Sequence, residues 1–237
     1  MTRCSRPASF HRVRFGWPLL AVLAAGPAAL AGTPIEERAP ADPAGQVEVS
    51  NTAGSVVISA WPRNEVEVTG TLGEGTERLE FSSSGKLTRV KVVLPRQSSR
   101  VEGTALVLKV PAGSGLAVNT VSADVTAAGV RGSQRLQSVS GNIHTEAAAE
   151  DVECKTVSGD VKVKGSGQPG LLTVTTVSGD ADLSRVAGEV NGNTVSGNLV
   201  VATGDTSRSR LRSTSGDLGL RGRLTPDARI DFESISG

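Results

Sequence analysis

Tyrosine is absent from the 237 residues, aromatic side chains make up only 3%, and there are two cysteines, two histidines and one methionine. A core here has to be built from Val, Leu, Ile and Ala instead of large rings. No excess of charge of either sign exists: 25 Lys+Arg stand against 24 Asp+Glu, which gives no electrostatic ground for a nucleic-acid partner. What is plentiful is glycine, with 28 copies, alongside 38% hydrophobic and 21% charged residues. That mixture argues for a folded chain and against a disordered one.

The segment 1–31 reads as a signal peptide. Arg3, Arg6, Arg12 and Arg14 form a basic start without an acid, an apolar stretch runs from Phe15 to Leu30, and Ala29-Leu30-Ala31 offers a small-x-small cleavage pattern before Gly32. The competing reading, a membrane anchor, is opposed by Pro18, Gly26 and Pro27, and no later segment is long and apolar enough to span a bilayer. Export to the periplasm, the cell surface or the medium follows as the expectation. Cleavage removes Cys4 and leaves 21 basic and 24 acidic residues, with Cys154 and His144 the single members of their kinds. One cysteine cannot form an intramolecular disulfide, and one Cys with one His cannot build the usual four-ligand zinc site. No cofactor and no metal are expected.

The second half repeats itself. The marker is Thr/Ser-Val-Ser-Gly-Asp/Asn-apolar, as in Thr156-Val157-Ser158-Gly159-Asp160-Val161, and its second Ser recurs at 122, 140, 158, 178, 196, 215 and 236. So regular a recurrence signals a repeat architecture. Before each marker stands an apolar column, Val118, Leu136, Cys154, Val174, Gly192, Leu211 and Phe232. A second, Val125, Ile143, Val161, Ala181, Leu199 and Leu218, follows each turn. Polar residues interleave with period two, the mark of strands with one buried face. Stacking the copies aligns every column at about 4.8 Å. The expected fold is therefore all-β, a parallel β-solenoid wound right-handed, with an antiparallel sandwich or meander as the alternative.

The expected organisation is a signal peptide at 1–31, a flexible leader at 32–44, irregular N-terminal coils and cap at 45–112, and regular repeats at 113–237. Asn51 to Val56 reads as a degenerate first copy of the marker. The chain stops inside a marker at Gly237, which raises the expectation of truncation, because a solenoid end needs a cap.

The recurring marker, preceded by Leu108-Lys109-Val110-Pro111-Ala112-Gly113, resembles a large bacterial family of exported β-strand-repeat proteins labelled "putative adhesins" or domains of unknown function. The resemblance spans the chain from about position 45 to 237. It implies the repeat fold, surface adhesion and, for some members, envelope-stress signalling, and it carries no catalytic motif across. Ala123 in place of the marker Gly and Thr214 in place of Val depart from the pattern.

Candidate sites are few. The column Asp124, Asn142, Asp160, Asp180, Asn198 and Asp217 could suggest calcium, but each corner offers one carboxylate, and Asp and Asn interchange as they do when a side chain caps its own turn. His144 falls on the outward phase, and Cys154 sits in an inward apolar column as an inert thiol. Arg208, Arg210 and Arg212 share a face, with Arg221 and Arg223 one strand away; they are either a solvated edge or a patch for anionic envelope polymers. The column Val121, Val139, Val157, Val177 and Val195 is core if the backbone bends before it, the favoured reading, and an outward strip if the bend comes after.

The functional expectation is a non-enzymatic, adhesin-like envelope-binding or scaffolding module. A sensor or regulatory module of envelope stress is the alternative, and a β-helix polysaccharide-acting enzyme a more remote one, with only Trp61, Phe81 and Phe232 left as sugar platforms. The partner stays unidentified, an envelope polymer or an envelope protein.

Overall fold

The computed structural model describes residues 32–95, 102–148 and 150–236; the segment read as a signal peptide lies outside these, and so does Gly237. Among the described residues every regular element is a strand. The repeats supply β7 (Gly115–Ala128), β8 (Gln134–Gln137), β9 (Ile143–Ala147), β10 (Val152–Lys155), β11 (Val161–Gly165), β12 (Pro169–Thr175), β13 (Ala181–Thr194), β14 (Leu199–Ser215) and β15 (Leu218–Ser236).

These pair in parallel as two stacks. In one, Val118, Leu136, Cys154, Val174, Gly192, Leu211 and Phe232 lie in register, one per layer. In the other, Val125, Ile143, Val161, Ala181, Leu199 and Leu218 do the same. Both apolar columns seen in the sequence thus face one core, and Leu136, Cys154, Leu183 and Leu211 are fully buried in it. The antiparallel alternative fails for the repeats because identical side chains stack only when successive copies run the same way.

The preceding strands are β1 (Thr33–Pro40), β2 (Gln46–Trp61), β3 (Glu65–Leu72), β4 (Arg78–Ser84), β5 (Leu87–Val93) and β6 (Thr104–Pro111). β2 runs unbroken through both stacks beneath β7, with Asn51 under Thr120 and Val56 under Val125. Beneath β2 lie β5 on one side and β6 on the other, both parallel to it. Among the described residues antiparallel pairing is confined to this end, where β4 covers β5, β3 covers β6 and β1 covers β3.

Residues 32–44, expected to be a flexible leader, are corrected by β1, which pairs with β3 along its whole length. The prolines that suggested disorder, Pro34 and Pro40, sit on an edge strand, where a missing N–H is tolerated. At the opposite end β15 pairs, among the described residues, with β14 alone, and Phe232, Leu224 and Ile235 are half or more exposed.

Candidate functional site

The marker folds into a corner in which each residue type has a separate task. The buried Thr or Ser starts it: Ser138, Thr156 and Thr176 each accept a hydrogen bond from the N–H of the marker Gly, at 2.9, 3.1 and 3.0 Å. The local side-chain acceptor satisfies a donor that the bend would strand. Gly is required by stacking. A Cβ on Gly141, Gly159, Gly179 or Gly197 would lie 1.9–2.2 Å from the carbonyl oxygen of the marker residue one layer below.

The Asp/Asn column does not cap its own turn, which corrects the reading from sequence. Each side chain reaches up one layer: Asp124 Oδ1 accepts from the Asn142 N–H at 2.8 Å, Asn142 from Asp160, Asp160 from Asp180, Asp180 from Asn198 and Asn198 from Asp217. Acceptance by Oδ1 is common to Asp and Asn, which explains why the two interchange. Among the described residues no group of three or more Asp, Glu, His or Cys is placed to hold a metal ion.

The valine column is also corrected. Val121, Val139, Val157, Val177 and Val195 are exposed, at 39–47%. The preceding Thr or Ser faces inward, where Ser138, Thr156 and Thr176 hold the Gly N–H and Thr120 donates to the Ala123 carbonyl at 3.1 Å, so the alternation runs on through the valine and no bend comes before it. With Ser122, Ser140, Ser158, Ser178 and Ser196, also exposed, the valines form an outward edge strip.

Arg208, Arg210 and Arg212 point outward from β14 as expected of alternating residues, but each meets an acid. Arg208 lies 3.6 Å from Glu189, Arg210 3.8 Å from Asp231 and Arg212 3.0 Å from Glu233. Their face carries a ladder of both signs, with the carboxylates supplied by neighbouring layers. Arg221 and Arg223 are exposed at the other half of β15, stacked on Ala202 and Asp205, so the five arginines are divided between the two stacks. A second ladder joins Arg135 to Glu153 at 2.7 Å and Glu153 to Lys155. Hydrogen bonds from Lys155 and then Arg135 hold the Glu153 carboxyl below its usual range.

His144 is exposed. Cys154 is fully buried, and its thiol is pushed up to about 12, chiefly by desolvation and then by the charge of Glu153. A thiol so rarely ionised is a poor nucleophile.

One cluster went unread in the sequence. Glu67, nearly buried on β3, takes Lys109 Nζ from β6 at 2.8 Å and Arg38 Nε from β1 at 2.7 Å. The Lys109 hydrogen bond foremost, with the Arg38 charge, keeps its carboxyl below the ordinary value against the opposing effect of burial. Trp61 lies alongside, with Arg63 and Lys109 5.1 and 5.5 Å from its ring and its indole N–H donating to the Glu65 carbonyl at 2.7 Å. The alternation of Glu65, Glu67 and Val66, Val68 was a visible signal. The partners Arg38 and Lys109 come from other strands, however, and are invisible without the pairing.

No curated protein matches this chain. Among solved structures, a "putative lipid binding protein" from Parabacteroides distasonis ATCC 8503 is similar over 87% of this chain and 96% of its own, at 15% identity and a TM-score of 0.51. A "putative adhesin" from Bacteroides fragilis NCTC 9343 aligns over 86% of this chain and 97% of its own, at 10% identity and a TM-score of 0.48. At such identities the first of these speaks for fold alone. Residues 44–237, from the loop before β2 through all the repeats, match the family described as Toastrack DUF4097, a domain of unknown function, and the chain belongs to that family.

Proposed function

We propose that this protein is a non-enzymatic, exported binding or scaffolding module of the cell envelope, adhesin-like in character. The observation that carries the reading is the laddered surface: each successive layer presents its side chains directly above those of the layer before, along both stacks. Such a surface matches a partner that is itself repetitive, since one weak contact is multiplied along the stack. Export by cleavage after Ala31 and residence in the periplasm or at the cell surface belong to the same proposal, as does a right-handed winding of the coils.

Arg208, Arg210 and Arg212 are the side chains proposed to meet anionic groups of an envelope polymer. The carboxylates that Arg210 and Arg212 meet within the chain are exposed, so a phosphate or carboxylate on a polymer can exchange with them at little cost. Co-sedimentation with isolated envelope fractions across a salt series tests this. Binding that weakens with salt and is lost in the Arg208→Ala/Arg210→Ala/Arg212→Ala variant is the expected result. No binding at any salt concentration would overturn the proposal.

A further inference from the structure

The valine strip repeats an exposed apolar side chain in five successive layers, and the columns on its two sides decide what fits it. On one side runs the Asp/Asn column, acidic at Asp124, Asp160, Asp180 and Asp217. On the other runs Asn119, Gln137, Lys155, Thr175, Asn193 and Arg212, neutral or basic throughout. Between them the Val and Ser columns carry no charge.

Placed against a second copy with its stacking axis parallel, about a twofold axis along the strip, each column meets the opposite column at the same height. Asp160 then faces Lys155 of the other copy, and Asp217 faces Arg212. Asn142 faces Gln137 and Asn198 faces Asn193, amide against amide. Asp124 and Asp180 meet Asn119 and Thr175, which carry donors. No like charges meet. Turning the second copy end over end about Val157 brings each column against itself, with Asp160 against Asp160 and Lys155 against Lys155. Charge therefore selects both the partner and its direction.

We propose that the valine edge is a self-association surface, joining two copies side by side in parallel through Val121, Val139, Val157, Val177 and Val195. Lys155 and Arg212 keep their in-chain partners Glu153 and Glu233, but their side chains are about half exposed and have donors to spare. Five layers at about 4.8 Å give a strip about 24 Å long. That is narrow for a stable dimer, so association is expected to be weak, in the micromolar to millimolar range, and favoured where copies are concentrated. This inference requires no ligand and does not rest on the envelope-binding reading, although the two share Arg212.

The test uses the protein expressed from its full sequence, in a Cys4→Ser background. Sedimentation equilibrium should show a monomer–dimer equilibrium. Arg212→Asp and Asp217→Arg, each alone, set like charges together twice and should weaken it about tenfold, while the double swap should restore it. Val121→Cys and Val195→Cys give the direction. Under mild oxidation each should cross-link to itself, with buried Cys154 taking no part. A monomer at every concentration, a double swap that restores nothing, or Val121→Cys linking only to Val195→Cys in a mixture would each overturn the proposal.

Discussion

The first marker and the later ones share a sequence but not a path. At Thr120-Val121-Ser122-Ala123-Asp124 the chain passes straight through as part of β7, whereas at Thr156-Val157-Ser158-Gly159-Asp160 it breaks between β10 and β11. The difference lies in what is underneath. Ala123 rests on Gly54, whose φ is 109°, and it is Gly54 that has no room, since a Cβ there would lie 2.3 Å from the Thr104 carbonyl oxygen. Gly179 rests on Gly159, and its own Cβ would lie 1.9 Å from the carbonyl below. Glycine at a given position is thus a property of the layer pair, and the marker tolerates Ala where the layer below gives way.

The sharpest way to break this comparison is to exchange the two residues. Gly179→Ala forces backbone apart at a fully stacked corner and should cost about 3 kcal/mol or more, read from the denaturant midpoint at constant m-value. Ala123→Gly removes one buried methyl and adds backbone freedom and should cost only about 1 kcal/mol. Equal losses at both positions would mean that the layer below is irrelevant.

A smaller effect separates corners that hold their Gly N–H from those that do not. Thr176 Oγ1 accepts from Gly179, while Thr194 Oγ1 and Ser213 Oγ are buried without a partner among the described residues. Thr176→Val should destabilise by about 1 kcal/mol. Thr194→Val should be neutral or slightly stabilising, because it removes a polar atom that gains nothing from its burial. Thermal melts of the two variants side by side would show the contrast.

The inward columns were legible because period-two alternation and a constant repeat constrain them twice over; Val118 and Val125 needed no structure. Alternation also had the valine strip right, since Val121 follows inward Thr120. An assumed early bend displaced it into the core, because nothing local reveals that Thr120 or Thr156 faces inward to reach a backbone group. Partners across layers were beyond reach. Glu189, Asp231 and Glu233 belong to different copies from the arginines they pair, and β1 is ordered by β3, with all of β2 between them in the chain.

The smallest effect contrasts the ionic end with the hydrogen-bonded corners. Glu67 has its carboxyl lowered in the folded state from an ordinary value of 4.5, so its contribution is present above that value and is lost as pH falls through the folded one. Hydrogen exchange in β1 and β3, taken relative to the intrinsic amide rate at each pH, should rise on acidification below about pH 4.5. In Glu67→Gln that rise should be flattened, with the β10–β12 corners responding alike in both proteins. An unchanged acid response in the variant would remove Glu67 as its source.

β2 occupies its layer out of turn. Its upper neighbour β7 begins only at Gly115, which lies over Gln46, and its lower neighbours β5 and β6 also follow it in the chain. Each later layer closes on the one before it within a single repeat. A chain emerging from the ribosome N-terminus first therefore carries β2 with both hydrogen-bonding edges bare until its neighbours have been made, the last of them complete only at Ala128. After that, each further layer finds its template ready. Assembly should be slow to begin and fast to continue, with the hazard of mispairing concentrated in the first half of synthesis.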